Sequence, residues 1–390
     1  MNDNGFIGVG IQYRLGAFGF LSSDEVSRFG VANAGLRDQF FALQWVQGYI
    51  HLFGGNASQV TVAGESAGAG AVMLQSMAFG GELGESLFSN IIAASPYLPT
   101  QHRYNAWVPS QAYYAFAEQV GCFAGVAFGN TVHYSTIFEC LVNTSTSTLM
   151  EANALVSGSG MYGTWAFLPV TDGAFIKQVP TQQFLQHRVN GARVLSGNNA
   201  NEGPDFVPQN ITTEAAVVSW LHEIFPMFTV DDVAKVLLYY PSTAIEVSNA
   251  MAVLDAANPS SNDAAIQQQR ANDIYSESVF VCPSYWLAEA YSTNNRQAFK
   301  YQYSVLPALH GTDFNAYFGR PVPYLGAKFM SYFQRIWGNF IRHNNPSVDD
   351  GEGVVDENVE AVNTWPMFSN GNPVQVNRVF DSLFSQISTC

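Results

Sequence analysis

Residues 59–71 read Gln-Val-Thr-Val-Ala-Gly-Glu-Ser-Ala-Gly-Ala-Gly-Ala, a β-branched run that enters Gly-x-Ser-x-Gly and leaves it through small residues. In a chain with 33 glycines the five-residue pattern alone says little, and the flanks are what constrain the fold. They predict a strand over Gln59–Gly64, a sharp turn at Ser66 and a helix starting at Ala67. The turn requires close backbone approach, which predicts glycine two residues either side of Ser66 and a strained conformation at the serine. Its hydroxyl would stand at the carboxyl edge of the sheet. The Ala67 amide and the positive end of the helix would then face any negative charge developing there.

The rest of the chain repeats this rhythm. Apolar stretches at Phe6–Tyr13, Asn90–Ser95, Ala192–Gly197, Ala298–Ser304 and Val374–Phe380 read as further strands, separated by longer amphipathic segments. Leu36, Phe40, Leu43, Val46, Ile50 and Phe53 recur at helical spacing, with Asn33 placed to cap the start and Gly54-Gly55 to end the run. Phe329, Phe333, Ile336, Phe340 and Ile341 mark a second helix ending before Asn344-Asn345-Pro346. Helix-like residues 106–150 and 214–291 separate strands widely, and without linker-like boundaries they are expected to be helical insertions in a single domain. The fold class is therefore α/β, with a mostly parallel sheet and helices on both faces.

Composition narrows the function. The 390 residues are 47% hydrophobic, enough for a large core, and carry 31 acids against 16 bases, a net charge of −15. Phosphate backbones would repel such a chain, so nucleic-acid binding is excluded. No apolar run approaches the roughly 20 residues needed to cross a bilayer. The four cysteines lack zinc spacing, and no metal is expected.

A serine nucleophile needs a base, and the imidazolium that forms needs an orienting carboxylate. In a strand–turn–helix setting of this kind the acid and then the histidine follow the serine. His102, His133, His187, His222, His310 and His343 all do so, and His310-Gly311, in a loop after a strand, suits the role better than the helix-end His343. Glu202, Asp205 and Asp172 are the candidate acids, with Glu202 in the loop that follows Val194–Gly197.

Gly64-Glu65-Ser66-Ala67-Gly68, together with Gln12–Leu21, Gly35–Gln39, Ala42–Val46, Phe53–Asn56, Phe167–Gly173 and Trp365-Pro366, resembles the type-B carboxylesterase/lipase family, which includes cholinesterases. The resemblance spans essentially the whole chain and is greatest to secreted fungal members. It implies an α/β-hydrolase fold and hydrolysis of carboxylic esters without metal or organic cofactor. Leu309-His310-Gly311-Thr312-Asp313-Phe314 is similar to the family's histidine segment, with Asp313 where Glu is usual, and Asn198–Gly203 to its acid segment. A Ser66, Glu202, His310 triad is thereby implied, with Glu65 tuning the electrostatics and Arg14 and Asp38 locking adjacent segments. Trp165 and Phe167 are implied to line an acyl pocket. Also implied are the disulfides Cys122–Cys140 and Cys282–Cys390. Sequons at Asn56, Asn143 and Asn210 join them in pointing to a secreted glycoprotein.

One element of the family is not found. Further oxyanion donors are expected from a His-Gly-Gly-Gly-type loop ahead of the strand that here starts at Phe6, and no such segment precedes it. The expectation is a chain lacking N-terminal strands, with open sheet edges. Loss of a donor costs roughly 10²–10³ in turnover. The alternative is a non-catalytic, cholinesterase-like binding protein or an inactive fragment.

Overall fold

A computed structural model describes residues 5–123, 136–242, 262–319, 322, 325–348, 365–369 and 374–376. Its strands are β1 (Thr61–Glu65), β2 (Asn90–Ala94), β3 (Arg193–Asn199), β4 (Gln297–Tyr303) and β5 (Val374–Val376). They form one sheet in the order β1-β2-β3-β4-β5, every pair parallel. Each connection between them carries at least one helix, which is what lets neighbouring strands run parallel.

Both faces are covered, and alternation along each strand decides which residue goes where. Ile91, Val194 and Ala298 enter a core with Leu36, Leu74, Met77 and Leu287, which come from helices Ala34–Tyr49, Ala67–Met77 and Cys282–Ala290. Their neighbours Ile92, Leu195 and Phe299 enter a second core with Phe333, Ile336 and Phe340 of helix Ala327–His343. β2 is buried along its whole length, as a central parallel strand must be. The expected strand limits shift by at most two residues at either end of β1, β2, β3 and β4.

Two expectations fail locally. Phe6–Tyr13 forms no strand, and Phe6, Ile7, Val9 and Ile11 are all exposed. A strand exists only where a ladder satisfies its backbone, and among the described residues none pairs with this segment. Asn33 does not cap its helix with its side chain. It reaches across instead, bonding Val170 O through Nδ2 at 2.8 Å and accepting the Val170 amide at 2.9 Å.

Helices Trp107–Gln119, Ile137–Asn143 and Thr146–Gly158 enclose an apolar cluster around Tyr113, Phe116 and Leu141. Cys122 and Cys140 are disulfide-bonded beside it, with Cα atoms 5.6 Å apart. Cys390 lies outside the described residues, and with it the expected Cys282–Cys390 pair. Helices Glu214–Ile224, Val230–Tyr239 and Asn262–Ser276 enclose another cluster, around Trp220, Leu221 and Tyr275. The last continues as a single π turn over Glu277–Val281, which brings Phe280 against the carboxyl end of the sheet.

Candidate active site

Ser66 joins β1 to helix Ala67–Met77 with φ 56° and ψ −123°, a conformation that costs a non-glycine residue about 1–3 kcal/mol. Neighbouring backbone holds it there. Its amide donates to Ala94 O at 3.0 Å, and its carbonyl accepts the amides of Gly70 (2.9 Å) and Tyr97 (3.1 Å). A Cβ on Gly64 would sit 2.3 Å from the Gly68 carbonyl carbon, and one on Gly70 would sit 2.1 Å from Tyr97 O. A Cβ on Gly68 would touch nothing, so the steric demand falls on Gly64 and Gly70 and not symmetrically about the serine. The Ala67 N–H is among the first amides of its helix, which have no intrahelical acceptor.

His310 follows β4 in a loop whose Gly311 has φ 73°. Asn201 N donates to Ala308 O at 2.9 Å, clamping this loop to the one after β3. The ring lies against Phe280 and Phe206, with centroids 4.5 and 4.9 Å away. Its Nε2 is 2.7 Å from Ser66 Oγ and its Nδ1 is 2.6 Å from Glu202 Oε2. Three residues 136 and 108 positions apart in the chain thus meet in one row.

Glu202 is wholly buried. Its second oxygen accepts Ser95 Oγ at 2.6 Å and the Asn199 amide at 2.5 Å, so its charge is met on both sides. Burial alone would lower the pKa of His310. The hydrogen bond and charge of Glu202, with the charges of Glu65 and Asp313, outweigh that, and its pKa lies above the ordinary value. Glu65 Oε1 is 3.5 Å from His310 Nε2 and, among the described residues, has no hydrogen-bond partner. Burial raises its pKa, with His310 opposing and Glu202 adding to the rise.

Asp313 lies beneath the row, fully buried, accepting Asn199 Nδ2 at 3.1 Å and the Tyr301 hydroxyl at 3.2 Å. Burial pushes its carboxyl up to about 7. Sequence reasoning singled out neither Ser95, Asn199 nor Tyr301. Ser95 and Asn199 carried a signal, as polar residues at the ends of apolar strands, whereas Tyr301 lies inside β4 and carried none.

The other candidates lie elsewhere. Asp172 accepts Asn33 Nδ2 and the amides of Ala174 and Ile176, ordering its own loop. Asp205 is exposed. His187 bonds Ala290 O at 3.4 Å, His102 is half-buried, and His133 lies outside the described residues. Trp165 stacks edge-on to Tyr97 at 5.3 Å and tilts onto Phe206, near the site, whereas Phe167 is buried against Phe116. Arg14 and Asp38 pair at 2.7 Å as expected. Asn56, Asn143 and Asn210 are all exposed. Among the described residues no group of three His, Cys, Asp or Glu side chains could hold a metal, and no helix is long and apolar enough to cross a membrane.

Comparison with known proteins places this geometry in context. Residues 1–382 match the Carboxylesterase family. The chain is 31% identical to Carboxylesterase patB of Penicillium expansum over 88% of its length, and 31% identical to Lipase 2 of Geotrichum candidum over 87%. It spans 57% and 60% of those relatives. The crystal structure of Aspergillus niger EstA superposes with a TM-score of 0.76 at 24% identity, covering 94% of this chain and 69% of that one.

Proposed function

Because the chain belongs to the carboxylesterase family, we propose that it hydrolyses carboxylic esters through Ser66, His310 and Glu202, by way of an acyl-enzyme. The observation that carries this reading is the pair of contacts made by the His310 ring, 2.7 Å to Ser66 Oγ and 2.6 Å to Glu202. Ser66 Oγ attacks the ester carbonyl carbon while Nε2 takes its proton. The Nδ1–H, donated to Glu202, keeps the ring in the tautomer whose Nε2 is free to accept. The Ala67 amide faces the oxyanion. Nε2 then returns the proton to the leaving alcohol, and in the second half the same base activates water against the acyl-serine.

Glu65, facing the protonating nitrogen at 3.5 Å, favours the imidazolium that both half-reactions pass through. The substrates would be small-molecule or lipid esters, since relatives are named both carboxylesterase and lipase. Secretion is supported by the Cys122–Cys140 bridge, three exposed sequons, and relatives in Gibberella zeae named as secreted lipases.

The test is reaction of the full chain with a fluorophosphonate, with the adduct located by peptide mass spectrometry. Modification of Ser66 that disappears in Ser66→Ala is expected. A folded chain that never labels would overturn the reading in favour of a non-catalytic protein.

A further inference from the structure

One charge in the interior has no place in this mechanism. Lys300 lies in the middle of β4, 1% exposed, on the face that Ala298 shares with helix Cys282–Ala290. Alternation along the strand puts it at a position meant for an apolar side chain, and an unpartnered ammonium there would be prohibitive. Its partners are few and specific. Nζ donates to Asn198 Oδ1 and to Tyr301 O (2.8 Å), and sits 4.6 Å from the centre of the Tyr285 ring. Asn198 is the penultimate residue of β3, and its Nδ2 donates to Asn199 O at 2.9 Å. The Asn199 amide in turn donates to Glu202 Oε1 at 2.5 Å. Hydrogen bonds, joined through the side chain of Asn198 and the backbone of Asn199, therefore link the ammonium to the carboxylate that touches His310.

Of the groups around Nζ, Asn198 from β3 and Ser284 from the Cys282–Ala290 helix are neutral, and Tyr285 contributes its ring face. Glu202 is the charge whose field reaches it. Burial pushes Lys300 down to about 7, with Glu202 opposing.

We propose that Lys300 is a positioning residue for Glu202: by holding the Asn198 side chain it fixes the end of β3, whose Asn199 amide aims the carboxylate at His310. The inference rests on reading Ser66, His310 and Glu202 as the catalytic row. A lysine kept only for stability would, when replaced, lower the thermal midpoint and leave the His310 resonance and titration where they were.

The experiment compares wild type with Lys300→Met and Asn198→Ala as full chains. The readouts are the low-field NMR resonance of the His310 Nδ1 proton (assigned by its loss in His310→Ala), its pH titration, thermal midpoint and fluorophosphonate labelling rate. In Lys300→Met the resonance should move upfield, the His310 titration should move to lower pH as the Glu202 contact loosens, and labelling should slow roughly tenfold, short of the 10² of a full ångström misplacement, with at most a modest fall in thermal midpoint. Asn198→Ala should displace the resonance similarly, and it carries the test if Lys300→Met does not fold.

A resonance and titration unchanged in either folded variant would overturn the proposal, as would a folded wild type without that resonance. A wild type that shows the resonance but never labels refutes the ester-hydrolase reading alone. Displacement of the resonance in the variants would still support the positioning role.

Discussion

On the β3–β4 side of Ser66 the site hangs from a buried polar lattice: Glu202 bound by Ser95 and Asn199, Asn199 bound to Asp313, and Asp313 bound to Tyr301. On the β1 side it hangs from an edge strand that is only half-buried and pairs with β2 alone among the described strands. The first side places Glu202 and His310 and the second places Ser66, by different physics. The lattice works through direction, since each hydrogen bond has a preferred line and the groups are buried where an unmet bond is expensive. The edge works through volume, since Gly64 and Gly68 touch so closely that the backbone has no alternative path.

The comparison breaks most visibly at Glu202. Glu202→Gln keeps the shape but loses the charge that orients His310, and the labelling rate of Ser66 should fall by roughly 10⁴, with little change in thermal midpoint. On the other side Gly64→Ala drives a methyl into the Gly68 backbone, 2.3 Å away. It should cost about 1–3 kcal/mol, measured as a lower denaturant midpoint, because overpacking against backbone cannot be relieved by a rotamer change. Equal stability in that variant would mean the edge is looser than its packing indicates.

The third effect is a pH slope. Asp313 has its folded pKa raised to about 7 by burial, above the ordinary aspartate value of about 3.9. The folded state then binds more protons than the unfolded one between those values. Its contribution to stability is fully present below about pH 3.9 and is lost as pH rises through about 7. Asp313→Asn cannot titrate, so its denaturant midpoint should vary less across that window than that of wild type. An identical slope in both would remove Asp313 from the lattice's proton balance.

Much of this was legible from the chain. The strand-turn-helix pattern around Ser66 led to β1, the turn and the Ala67–Met77 helix, because β-branched and small residues carry their preference locally. His310-Gly311 stood out among the histidines for a similar reason. The strand at Phe6–Tyr13 was wrong although its pattern was good, since pairing is not a property of a segment but of its neighbour. Ser95, Asn199, Tyr301 and Lys300 were invisible as a group. Each is an ordinary residue within or at the end of a strand, and they become one network only when parallel strands are set side by side in register.

Sequence by itself therefore determined the α/β architecture, the turn that strains Ser66 and the residue types able to do acyl transfer. Hydrophobic periodicity and turn chemistry act over a few residues and can be read one segment at a time. Tertiary structure alone decided the 2.7 and 2.6 Å contacts of His310 and the burial of Asp313 and Lys300. Those depend on distance and dielectric between groups far apart in the chain, which exist only after the sheet has formed.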